Sequence, residues 1–150
     1  MKKKFFLSAI ALLFAVGYAI GQDIPQSKVP SLVVNQFQQN FSKARDIEWE
    51  MKGENYEVEF EVGRHPDRDH EILYSPAGQV LRHKQEISSK DLPAQISQKL
   101  KAEYDGYRIK DVKKIVEGDK TIYKLEAKSH KEEWELKLDE KGNILRKKRD

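Results

Sequence analysis

The residues best suited to chemistry lie in one short run, His65-Pro66-Asp67-Arg68-Asp69-His70, which offers two imidazoles and two carboxylates within six positions. His65, Asp67, Asp69 and His70 are donor types that a divalent ion such as zinc accepts. Arg68 in the middle of the set opposes a cation, and the calcium-loop pattern is absent. The run therefore has three readings: a cation site, a contact loop for a partner that also uses Arg68, or a solvated hairpin turn. A second set is Glu57, Glu59 and Glu61, alternating along one strand-like segment. Same-side neighbours on a strand stand about 7 Å apart, too far to share a proton or one small ion. Lysines across the sheet are their expected partners, since Lys124, Lys128 and Lys137 hold comparable positions later in the chain. That ladder reads as a solvated sheet face that a partner could contact.

Covalent catalysis finds little to work with. The chain has no Cys, and Ser31, Ser75, Ser88, Ser89 and Ser129 sit at helix starts, turns or polar loops. None lies in a Gly-x-Ser-x-Gly elbow. Spacing supplies no partner for His83 or His130. Neither an enzyme nor a cofactor is expected. The basic tail Arg146-Lys147-Lys148-Arg149 could touch anionic lipid or polysaccharide, although alternation along a terminal strand explains it as well. Charges on an edge strand also discourage edge-to-edge aggregation.

The N-terminus has the form of an export signal. Lys2, Lys3 and Lys4 precede the apolar run Phe5 to Ile20, which is 16 residues long, short of the roughly 20 that span a bilayer. Ala19 and Gly21 place the expected cut before Gln22, making residues 1–21 a signal peptide. Without Cys it is not a lipoprotein signal. The expected product is periplasmic or secreted, with no stable membrane anchor. Without the three lysines, 25 basic side chains face 25 acidic ones, so the processed chain is formally neutral. No net basic excess remains to mark a nucleic-acid binder.

The elements that carry these residues occur twice. Val29, Val33, Phe37 and Phe41 form one helical stripe, and Leu92, Ile96, Leu100 and Tyr104 repeat it 63 residues later. Pro30 and Pro93 mark the two helix starts. Tyr56, Val58, Phe60 and Val62 alternate with polar residues as a half-buried strand does. Ser75-Pro76-Ala77-Gly78 and Asp139-Glu140-Lys141-Gly142 have the chemistry of tight turns in which Gly is structural. Between Phe60 and Ile72 lie about three more residues than between Ala127 and Leu136, so the first hairpin is the longer and its excess falls on the His65–His70 run. Each unit reads α-β-β-β-β. The expected fold is α+β: one antiparallel sheet of about eight strands, with both helices on one face. Residues 22–150 form one domain, with repeats at about 28–88 and 90–148.

Taken together, the Val/Leu-Pro helix starts, the late helix aromatic, the Trp-bearing strands, Tyr-x-Val-x-Phe and [Ser/Asp]-x-x-Gly-x-[Val/Ile]-Leu resemble the PepSY-like family of exported bacterial proteins. That resemblance implies a fold similar to the β-lactamase inhibitor proteins, a periplasmic or secreted location and no enzymatic activity. The expected function is an exported binding module, protein-binding or inhibitor-like. The alternative is a divalent-cation-binding protein using the His65–His70 loop. Glu57, Glu59, Glu61, His65, Asp67, Arg68, Asp69 and His70 are the candidate contact residues. The expected partner is another exported protein, and a monomer is expected. Residues 22–89 hold 8 basic and 12 acidic side chains, and residues 90–150 hold 17 and 13. Opposite net charge lets one repeat attract the other.

Overall fold

Two apolar helix stripes and a series of period-two strands leave one economical arrangement, a sheet whose apolar side is covered by the helices. The computed structural model describes residues 21–63 and 69–150 and has that arrangement. The first repeat runs through β1 (Gln22–Asp23), α1 (Ser31–Asn40), β2 (Ala44–Lys52), β3 (Asn55–Val62), β4 (Asp69–Tyr74) and β5 (Val80–Glu86). The second follows as α2 (Ala94–Glu103), β6 (Arg108–Glu117), β7 (Lys120–Lys128), β8 (Glu133–Asp139) and β9 (Ile144–Arg149). The strands lie in chain order in one nine-stranded antiparallel sheet. The strand beyond the expected eight is β1, two residues that pair with Glu50 and Met51 of β2. Among the described residues, no helix is long and apolar enough to cross a membrane. The expected signal peptide falls outside the described residues except for Gly21, as do His65, Asp67 and Arg68.

Pro30 and Pro93 stand at the N-caps, and the predicted stripes cover the sheet. Seven of the eight stripe residues are buried, and Phe41 is half-buried at the end of α1. The core is divided. Val33 and Phe37 pack with Trp49, Val58, Phe60, Ile72 and Tyr74, while Ile96 and Leu100 pack with Tyr123, Leu125, Leu136 and Leu138. The buried residues of each cluster stay within one repeat, and the half-buried Ile87 after β5 leans on the second. The seam between them is β5 against β6, five residue pairs that include Arg82 opposite Glu117 and Glu86 opposite Lys113.

Both turn glycines do more than turn the chain. Gly78 and Gly142 have φ of +80° and +84°, a region that side chains other than Gly rarely enter. A Cβ on Gly142 would stand 3.1 Å from the Gln95 carbonyl oxygen of α2, and one on Gly78 would stand 3.3 Å from the Leu32 side chain of α1. The last hairpin of each repeat thus rests on the start of its own helix. The first strand after each helix carries a β-bulge, with Asp46 and Asp111 at φ +51°. Asp tolerates that left-handed conformation better than most residues.

Candidate functional site

With the helices on one face, the other face of the sheet is open. On β3, Glu57, Glu59 and Glu61 all belong to it, but their surroundings differ. Glu57 is only 3% exposed. The Arg82 guanidinium donates to Glu57 Oε2 at 2.8 Å and to Glu71 Oε1 at 3.0 Å from the same nitrogen. Lys52 approaches Glu57 Oε1 to 3.3 Å, and Lys84 donates to Glu71. Burial pushes the Glu57 carboxyl above the usual range, Glu71 pushes the same way, and Lys52 and Arg82 oppose them. Burial would raise Glu71 as well, but Lys84 and Arg82 outweigh it and hold that carboxyl below its usual value. Glu59 is exposed opposite Glu48 and Glu71, and Glu61 is 3.6 Å from Arg45.

The ion pairs of the ladder are therefore with Arg45, Lys52 and Arg82, all from the first repeat, while Lys84 serves Glu71. Lys124 and Lys128 pair within their own repeat, with Glu135 at 3.1 Å and Glu133 at 2.8 Å. Lys110 also holds Glu133 at 3.0 Å, and these bonds to Lys128 and Lys110 lower the Glu133 carboxyl to about 2.

Beside the ladder lies a shallow cleft of about 310 Å³. Its described lining includes seven carboxylates, among them Asp46, Glu48, Glu59, Glu61, Asp69 and Glu71, against two lysines, Lys84 and Lys113. The bulge at Asp46 carries that side chain to the rim. Carboxylate oxygens of Glu57, Glu59 and Glu71 lie within 4.8 Å of one another. Two of those three are already neutralised by Lys52, Arg82 and Lys84.

The His65–His70 run is divided by the strand geometry at its end. Asp69 is exposed and pairs with Glu61, whereas His70 is buried and pairs with Phe60 on the helix-covered side. The His70 ring stacks on Phe60 with centroids 5.0 Å apart, and its Nδ1 is 2.9 Å from His83 Nε2. His83, left without a partner by sequence spacing, is thus one half of an imidazole pair. Burial lowers its pKa, and the nearby Lys114 ammonium lowers it further. The repeat alignment contained the signal, since it puts both histidines at helix-facing positions of adjacent strands.

The family profile described as beta-lactamase-inhibitor-like, PepSY-like matches residues 19–82 and again 79–146. The chain belongs to this family. The two matches fall on the two α-β-β-β-β repeats. A comparison with curated proteins finds no match. Among solved structures, a protein from Bacteroides eggerthii described as periplasmic is similar at TM-score 0.65 and 15% identity, over 81% of this chain and 88% of that one. A BLIP-like protein from Bacteroides fragilis gives 0.60 and 19%, over 79% and 84%. A DUF2874 family protein from Bacteroides ovatus gives 0.64 and 15%, over 85% and 89%. These likenesses show the fold.

Proposed function

We propose that this member of the PepSY-like family is exported and acts as a non-catalytic binding module. On this reading the open face of its first repeat holds a basic segment of a partner protein. The observation that carries this is the acid-lined cleft, where seven described carboxylates face two lysines on the side of the sheet away from α1 and α2. Such a surface attracts a cationic partner from a distance and fixes its orientation more than it adds raw affinity. The names of the related structures, one periplasmic and one BLIP-like, support an exported, inhibitor-like role. A divalent cation is a second reading, favoured by the proximity of Glu57, Glu59 and Glu71. It is the weaker one, because an ion there must displace ammonium and guanidinium groups already bonded to two of the three.

The test is affinity capture. The exported protein, immobilised, should retain a partner from the periplasmic fraction of its own cells and release it in high salt. A Glu48→Gln, Glu59→Gln double variant should lose that partner. Retention of the same proteins by both forms would overturn the assignment of the cleft.

A further inference from the structure

The second repeat presents the opposite charge on the same open face, and in an ordered form. Lys113 of β6 stands opposite Lys124 of β7, Lys124 opposite Lys137 of β8, and Lys137 opposite Arg146 of β9. Four cations thus form one line across four adjacent strands. Like charges directly opposite one another destabilise a sheet, and little compensates them here. Lys124 has Glu135 at 3.1 Å, and Lys113 faces Glu86 of β5 across the seam. Among the described residues no carboxylate comes within 4 Å of Lys113, Lys137 or Arg146, whereas Lys110 and Lys128 on the same face are paired. The basic tail divides accordingly. Only Arg146 joins the line, while Lys147 lies 4.0 Å over the Trp134 ring on the helix-covered side.

We infer that this row binds a linear acidic polysaccharide lying across the strands. The row shares only Lys113 with the acid-lined cleft, and the inference does not depend on the reading given to that cleft. Three features select this occupant. First, adjacent strands are about 4.8 Å apart, comparable to one sugar unit, whereas same-side residues of an acidic peptide strand recur at about 7 Å. Second, Ile115 and Ile122, half-buried and paired with one another on the open face, border the row. They offer an apolar strip to the C–H face of a sugar. Among the described residues no aromatic side chain stands on this part of the face, which gives nucleobases no stacking platform there. Third, an anionic bilayer is flat and would also meet Glu48, Glu59, Glu61 and Asp69 on the same face. A single polymer chain follows the row and avoids them.

The row spans three strand gaps, roughly 14 Å, which fits about three or four sugar units. The test uses the exported protein with size-defined oligogalacturonates and a linear sulfated glycan, read by fluorescence anisotropy. Binding should weaken as salt is added, and affinity should rise steeply with length up to about four units and little beyond. A Lys124→Gln, Lys137→Gln double variant should bind at least tenfold more weakly, without a lower melting temperature because a repulsion has been relieved. A Lys28→Gln, Lys101→Gln double variant, with the same change in charge away from the row, should bind within twofold of the unaltered protein. Binding of neither glycan overturns the inference. So does an equal loss in both variants, or tighter binding to phosphatidylglycerol vesicles, a single-stranded oligonucleotide or an oligoglutamate peptide.

Discussion

Arg82 stands between Glu57 and Glu71 and donates to both, at 2.8 and 3.0 Å. Removing a counterion from buried carboxylates costs more than the pair contributes, because an unpaired charge is left behind. Arg82 is itself 37% exposed, so solvent screening reduces the effect. Arg82→Met should lower stability at neutral pH by about 2 kcal/mol, below the cost of breaking a fully buried ion pair because Arg82 is partly screened. The variant's Glu57, already raised by burial, then lies further above its unfolded pKa, and Glu71 loses one of the cations that hold it down. That part of the cost is therefore present at neutral pH and recedes as the pH falls through those values and the carboxyls take up protons. Denaturant melts of both forms at pH 7 and pH 5 check this, and a cost that is the same at both sinks the idea. The alternation on β3 was legible in the sequence, and so was the open face it lies on. The burial of Glu57 was not, because it depends on Arg82, which is 25 residues away and two strands over.

The same three elements meet at the end of each helix with different residues. In the second repeat, Lys147 of β9 lies over the Trp134 ring of β8 at 4.0 Å and over Tyr104, just past α2, at 5.2 Å. By strand register, His83 and His70 occupy those strand positions in the first repeat, with Phe41 in the place of Tyr104. One repeat thus seats a permanent cation on an aromatic ring, and the other seats an imidazole on an imidazole. The short contact between His70 and His83 requires one ring nitrogen to donate and the other to accept. Two imidazoliums would leave two donors face to face beside Phe41 and Phe60. Since the folded-state pKa of His83 is depressed, its contribution to stability is present above the ordinary histidine value of about 6.5 and is lost as the pH falls below it. The melting temperature should therefore drop between pH 7 and pH 5 more steeply in the unaltered protein than in a His83→Gln variant. Parallel slopes would show that the pair does not titrate. Helices, strands and turns were legible because their periods, prolines and glycines repeat. The three extra residues of the first hairpin were legible too, and the register agrees, with Phe60 opposite His70 and Ala127 opposite Trp134. The bulges were not, since Asp46 and Asp111 look like ordinary polar positions until their backbone is seen.

At the scale of the molecule, two repeats share one sheet but not one core. Ten buried residues form the cluster under α2 and eight form the cluster under α1, and among the described residues the one crossing contact is the half-buried Ile87, from the end of the first repeat, against the cluster under α2. The junction is a row of backbone hydrogen bonds between β5 and β6, bordered by Arg82, Glu86, Lys113 and Glu117. Hydrophobic burial dominates the favourable side of folding, and a seam of this composition supplies little of it. Coupling between the halves is therefore weaker than cohesion within each. A repeat of about 60 residues is marginal by itself, so each half borrows stability from the pairing at the seam, as neighbouring units do in repeat proteins. Leu136 is fully buried in the second cluster, and Leu136→Ala should cost about 3 kcal/mol. If the cores are separate, hydrogen exchange in the variant should speed up first and most in β7 and β8. The amides of β3 and β4 should keep most of their protection, because their cluster is untouched and they lose only what the seam conveys. An equal fall in protection across all the strands would show instead that the nine-stranded sheet opens as a single unit, with the seam binding the halves as firmly as either core binds its own.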